Sequence, residues 1–302
     1  MLVLIPLVLV AILMTIIIIR TDVDANSFIL LGSVIAGILY LSFWEKPTYN
    51  LQLLLVLALF IIAPIIGIAI FLVDYFSKRR KKDYASCYED EIRRKAFHFV
   101  GFAVFLPKTV YWTAYNLAVT GFSNTFNTSI ENMGLNHSGY ISFVIFLITY
   151  PLLVLFTITE FVRLNYKHDL FISLVRKDES NKMASYLHST ASIFIVSLLF
   201  YPYNNIVCAA IAMGLLADLA ACIVGKRYHK IAYKDRSLEG FMANFLVGAI
   251  AGYFFVGAIA IIVGLLIATI DFLNGALELK LNDNFLFPVL IALFLYLFLV
   301  GI

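Results

Sequence analysis

Asp218 stands inside LLADLAACIVGKR, a run otherwise built of leucine, alanine and other apolar or small residues up to its basic end. An ionisable group within such a segment is costly unless it faces a partner or water, so its default reading is a functional site. The run leaves through Gly225-Lys226-Arg227, crosses a short basic loop, and Arg236-Ser237-Leu238-Glu239-Gly240 opens the next apolar stretch. Ser237 occupies the place of a helix N-cap. A helix starting at Leu238 offers its first backbone amides to an anion, with Arg236 beside them, and that combination suits a phosphate group.

Two further spacings carry chemistry. Glu91, Lys95, His98 and Gly101 follow one another at helical steps, so one face presents an acid, a base and an imidazole. Gly214, Asp218, Ala221 and Gly225 likewise share a face, a stripe of small residues that lets helices close around the carboxylate. Each residue also has a plainer role open to it. His98 could be an interfacial histidine, Lys95 and Lys226 flanking anchors, Ser237 a cap only, and Asp218 half of a buried ion pair.

The elements that must position these residues are membrane helices. The chain has 302 residues, of which 62% are hydrophobic and 14% charged. A soluble domain is roughly 45 to 50% apolar. The composition therefore predicts an all-α, polytopic integral membrane protein. A net charge of +3, with the basic residues gathered in short loops, speaks to topology and not to a nucleic-acid partner. Cys87, Cys208 and Cys222 are far apart and read as small hydrophobes, with no zinc site and no disulfide framework.

Met1 to Ile19 lacks a basic leader and a small-residue cleavage site, and is expected to be a retained first span. Phe28–Phe43 and Leu51–Val73 give the second and third. The segment SKRRKKDYASCYEDEIRRK that follows is cytoplasmic by its positive charge. A span at about Ala96–Val119 leads to a loop from Thr120 to Tyr140 without Lys or Arg, hence extracytoplasmic. Further spans are expected at Ile141–Val162, Leu187–Phe200, Ile206–Gly225, Leu238 to about Phe254, Val256–Phe272 and Phe285–Ile302. The total is about ten helices with both termini extracytoplasmic. The change of character after Val73 divides the chain into a three-helix N-terminal membrane segment, 1–75, and a second membrane domain, 76–302. On this topology Arg94, Lys95, His98, Glu160, Arg163, Asp218, Lys226, Ser237, Glu239, Asp283 and Asn284 all fall at the cytoplasmic surface. Mere anchors would be spread over both faces, so the one-sidedness points to a single polar site.

These residues together resemble the dolichol kinase and phytol kinase family. The resemblance rests on Glu91-Ile92-Arg93-Arg94-Lys95-Ala96-Phe97-His98 with Gly101, on Glu160-Phe161-Val162-Arg163-Leu164, and on Asp218-Leu219-Ala220-Ala221 leading to Gly225-Lys226-Arg227-Tyr228. Ser237-Leu238-Glu239-Gly240 and Asp283-Asn284 before Pro288 complete it. It covers roughly Glu91 to the C-terminus. The chain departs from the family pattern at Ala217, His229, Arg236 and Asn282.

The resemblance implies a CTP-dependent kinase acting on the primary hydroxyl of a long-chain isoprenoid alcohol of the dolichol type, held in the lipid bilayer. Asp218, with Glu239 or Asp283, is then expected to hold Mg2+ on the triphosphate. Arg94, Lys95, Lys226 and Arg236 would take phosphate oxygens beside Gly225 and Ser237, with Glu160, Arg163 and Asn284 lining the site. His98 would position or deprotonate the acceptor hydroxyl. Phytol, geranylgeraniol or diacylglycerol remain alternative acceptors. A CTP:phospholipid cytidylyltransferase would instead release pyrophosphate, and a transporter would line a midplane path in two related halves. The host membrane is expected to be a prokaryotic, archaeal-type plasma membrane, with the endoplasmic reticulum as the alternative.

Sidedness can be tested directly. In a background free of native cysteines, a cysteine at Ser180 is expected to react with an impermeant maleimide only from the cytoplasm, and one at Ser129 only from outside. Labelling of both from the same side would remove the convergence of the motifs on one face.

Overall fold

The computed structural model describes residues 4–20, 25–43, 140–166, 175, 179–228, 230–234, 236–279 and 281–301, with the single positions 61, 64, 65 and 68. Among them are eight helices: α1 (Leu4–Arg20), α2 (Ala25–Phe43), α3 (Tyr140–Tyr166), α4 (Ser185–Leu199), α5 (Asn204–Arg227), α6 (Leu238–Val256), α7 (Ile259–Ala276) and α8 (Asp283–Leu299). Between α5 and α6 lies a minimal hairpin of β1 (Ala232–Tyr233) and β2 (Arg236–Ser237), antiparallel, with Tyr233 opposite Arg236. Five helices, α2, α3, α5, α6 and α7, are long and apolar enough to cross a membrane, and α1, α4 and α8 are shorter apolar helices. The all-helical membrane class expected from composition is thus what the chain adopts. The spans expected at Leu51–Val73 and Ala96–Val119 lie outside the described residues, apart from the single positions named above.

The chain divides into two compact units, Met1–Arg94 with Phe143–Leu199 and Lys95–Ser142 with Phe200–Ile302. In the first, α1 packs on α2 and α2 on α4. Gly37 of α2 lies against Phe194 and Ile195 of α4, where an added Cβ would stand 3.2 Å from the Phe194 ring. Phe146 of α3 stacks on Phe194, with ring centroids 5.5 Å apart. α2 therefore packs both on α1 and on the later helix α4.

In the second unit α5 is the central helix. Buried residues make up 83% of its span, against 39% for α6 and 44% for α7. Its small side chains are the cause. Met213, Ala217, Ala221 and Gly225 recur every four residues on α5, as do Gly240, Asn244, Gly248 and Gly252 on α6. Ridges of that period interlock when two helices cross. A Cβ on Gly252 would meet Met213, one on Gly248 would meet Ala217, and one on Gly225 would lie 3.3 Å from the Gly240 Cα, so the two helices run antiparallel with backbones nearly touching at Gly225 and Gly240. Leu238, Met242, Leu246, Ile250 and Phe254 project from the other side of α6 and are exposed. Bulky apolar residues outside and small ones inside is the pattern lipid demands, because hydrocarbon rewards close helix packing and not apolar burial.

Pro288 of α8 packs on α5 at Gly214, where an added Cβ would lie 2.9 Å from the proline ring. The expected stripe of Gly214, Asp218, Ala221 and Gly225 is thus shared between two neighbours, α8 at Gly214 and α6 at Ala221 and Gly225. The α6–α7 connection is a tight turn at Gly257, whose φ of 67° belongs to the left-handed region that glycine enters without penalty. α7 runs on to Ala276, past the expected end at Phe272. Asn274 makes this possible: its side chain donates to Leu281 O at 3.0 Å and accepts from Leu281 N at 3.1 Å, so the turn after the helix is closed from within.

A branched side chain at the α5–α6 contact should force the backbones apart. Gly240→Val is expected to cost about 1–3 kcal/mol in detergent unfolding. Leu246→Ala, on the exposed stripe, should shift the same measurement by no more than about 0.5 kcal/mol. Equal effects would mean the helices are not held by close backbone approach.

Candidate functional site

The second unit gathers charge where its helices are otherwise apolar. Asp218 of α5 is buried, as are Asn244 of α6 and Asp271 of α7. Asn244 Nδ2 donates to Asp271 Oδ2 at 2.9 Å. Arg236, in β2, sends Nη2 to Asp271 Oδ1 at 2.7 Å and lies 3.7 Å from Asp283 Oδ2 at the start of α8. Asp218 and Asp283 are both close enough to Asp271 to act on it electrostatically. Among the described residues, then, Arg236 is paired with Asp271 and lies near Asp283, and Asp218 adds its charge to the surroundings of Asp271, inside a bundle of low polarity.

The helix starts around this cluster are capped by side chains. Ser237 has extended dihedrals and its Oγ accepts from Gly240 N at 3.1 Å, as the sequence predicts for an N-cap. Asn282 caps α8 through Asn284 N at 3.1 Å, and asparagine serves there as well as the aspartate of the family pattern. Asp283 Oδ1 also accepts from Asn284 N, at 2.9 Å, and from Asn284 Nδ2, at 3.1 Å. Glu239 is turned to the hairpin, its two oxygens accepting from Ile231 N at 3.2 and 3.5 Å. Gly225 supplies the close helix contact described above, and Lys226 is exposed at the end of α5.

Glu160 and Arg163 form a second cluster, in the first unit. Arg163 Nε and Nη2 donate to the two Glu160 oxygens at 2.9 and 2.7 Å. Its Nη1 and Nη2 also reach Ser180 O at 3.0 Å and Lys182 O at 2.6 Å. Glu160 accepts from Ala184 N at 3.2 Å and from the Tyr186 hydroxyl, while the Ser185 hydroxyl donates to Glu179. Both charges are buried, and their hydrogen bonds are spent tying residues 180–186 to the end of α3. That is a structural clamp. Arg94, Lys95, His98 and His229 lie outside the described residues.

Asp271 and Asn244 are candidate-site residues that the sequence expectations do not include. Asp271 carried the same signal as Asp218, an acid in an apolar run, but a span ending at Phe272 put it near the edge. Its face was legible too: Gly264, Ala268, Asp271 and Gly275 follow at helical steps. Asn244 was marked by standing in line with Gly240, Gly248 and Gly252.

As for the cation that the resemblance implies, no group of three or more His, Cys, Asp or Glu side chains that could hold a metal ion occurs among the described residues. A nucleotide-bound Mg2+ takes only one or two carboxylates, the phosphates and water supplying the rest. Asp218 and Asp283, both acting on Asp271, are the carboxylates of this cluster that meet that smaller demand by type and number. Glu239, occupied by the hairpin, is not needed for it.

No family model matches the chain, and no solved structure matches it. The chain is similar to an uncharacterised protein of Methanocaldococcus jannaschii, 30% identical over 125 residues, a stretch that covers 41% of this chain and 63% of that protein.

The clamp can be broken from one side. Glu160→Gln leaves the buried Arg163 charge without its counter-charge, which is expected to cost about 3–5 kcal/mol. Chemical unfolding in detergent measures it. A loss below about 1 kcal/mol would mean that the pair does not hold the segment.

Proposed function

We propose that this protein is a CTP-dependent lipid kinase that phosphorylates the primary hydroxyl of a dolichol-type polyprenol at the cytoplasmic membrane face. The observation that carries it is Asp271, paired with Arg236 and within electrostatic reach of Asp218 and Asp283, beside the Ser237-capped start of α6. Charge of this density in apolar helices is costly and is kept for a charged ligand or a charged step. The motif resemblance from Glu91 onward selects a nucleotide triphosphate and a lipid alcohol. The ten-helix topology with extracytoplasmic termini belongs to the same proposal. So does an archaeal-type plasma membrane, which the Methanocaldococcus relative favours.

Phosphoryl transfer asks little covalent work of a protein beyond placement and charge neutralisation. In the proposed reaction the acceptor oxygen bonds to the γ-phosphorus as the bond from that phosphorus to the bridging oxygen breaks, and CDP leaves. The acceptor proton passes to His98. Arg236, Lys226, Arg94 and Lys95 bind the phosphate oxygens, while amides at the start of α6 add fixed dipoles. Asp218 and Asp283 would hold Mg2+, which neutralises charge between the β- and γ-phosphates when bound.

Two measurements test it. CTP should support phosphorylation of polyprenol in liposomes far better than ATP, with CDP as product. Release of pyrophosphate, or equal turnover with ATP, would sink the assignment. Asp218→Asn should lower turnover by about two orders of magnitude or more while the melting temperature stays near wild type, since loss of a preorganised charge is worth about 10²–10³ in rate. An unstable variant, or a stable one with normal turnover, would remove Asp218 from the site.

A further inference from the structure

We propose that Asp271, held by Asn244, is a positioning residue that sets the Arg236 guanidinium for the phosphate of the substrate, a role that rests on the phosphotransfer function above. The two oxygens of Asp271 are divided between two partners. Oδ2 accepts from Asn244 Nδ2 at 2.9 Å, which fixes the carboxylate plane and leaves Oδ1 to meet Arg236 Nη2 at 2.7 Å. Asp271 is buried, while the Arg236 side chain keeps 27% of its surface exposed, so the acid holds the guanidinium from the inner side only. Both ion pairs of Arg236 use Nη2, and its other donors are left for an anion among the described residues.

The path of the arginine is shaped as well. Gly275 lies one turn beyond Asp271 on α7, and a Cβ there would stand 2.3 Å from Arg236 Cγ and 2.6 Å from its Nε. The side chain therefore lies across the α7 backbone in a groove that only glycine leaves open. Because Arg236 directly precedes the Ser237 cap, fixing its guanidinium fixes a positive group relative to the first amides of α6. A phosphate arriving there would meet a charge already in place, which is what preorganised electrostatic binding requires. Lysine could not be held this way, since it has no planar fork to share between an acid and an anion.

The full-length protein in detergent, labelled with isotopic arginine, tests this without any assay of turnover. The Arg236 Nη–H resonances, identified by their loss in Arg236→Lys, should be protected from solvent exchange in wild type and lose that protection in Asp271→Asn and in Gly275→Ala. In kinetics, Asp271→Asn and Gly275→Ala should each raise KM for CTP by about tenfold or more, the scale of a lost charge-assisted hydrogen bond. In an Arg236→Gln background, Asp271→Asn should change KM by less than about twofold, because the two residues act as a unit. Should Asp271→Asn fail to fold, Gly275→Ala keeps the acid and displaces only the arginine. An Arg236 signal unchanged in the folded variants, or an equal effect of Asp271→Asn in both backgrounds, would overturn the role. Absence of CTP turnover in wild type would instead defeat the kinase function, and the resonances would still decide whether Asp271 holds Arg236.

Discussion

A carboxylate carried on an apolar helix has to be met by something, and in the second unit that need is answered by the pairing of Asp271 with Arg236 and Asn244. Three elements converge on one carboxyl group: α7 supplies it, α6 supplies the amide, and β2 supplies the guanidinium. The tolerance for error is small, because removing any partner leaves a buried polar group short of a bond. The glycines at 225, 240, 248 and 252 follow from this requirement as much as from helix packing.

Two polar clusters among the described residues use the same chemistry in different settings. Glu160 and Arg163 meet each other fork to fork, and their further bonds go to backbone groups of residues 180–184 and to the Tyr186 hydroxyl. Nothing in that arrangement asks for a ligand. Around Asp271 the partners come from two other elements, and the guanidinium of Arg236 is partly open to solvent, unlike the buried Arg163.

The class of fold was legible in composition, and six of the helices lie close to where the hydropathy placed the spans from Ile141 onward. The caps at Ser237 and Asn282 follow from residue type and position, although only Ser237 was read as one. Which face of each helix turns inward was harder to see, because α6 has few polar residues on either side and its buried face is marked by small residues such as Gly248 against the bulky Leu246. Asp271 escaped for a related reason. Hydropathy ends a span at the first polar residues, whereas the helix continues through Asn274, whose amide is satisfied by Leu281 and so does not break it. Partnership across helices, such as Asn244 with Asp271, leaves no trace in local spacing at all.

The turn at Gly257 has a bearing on how such a chain enters a membrane. α6 and α7 are joined through two residues, Gly257 and Ala258, so neither can cross the bilayer far from the other. An isolated α7 would bring a bare aspartate into hydrocarbon, at about 2.5–3.5 kcal/mol on insertion scales. Delivered as a hairpin, it arrives with Asn244 already alongside, so part of that cost is met during biogenesis, before Arg236 is in reach. The shortness of one loop thereby makes the acid compatible with insertion, and a longer linker of the same composition would not.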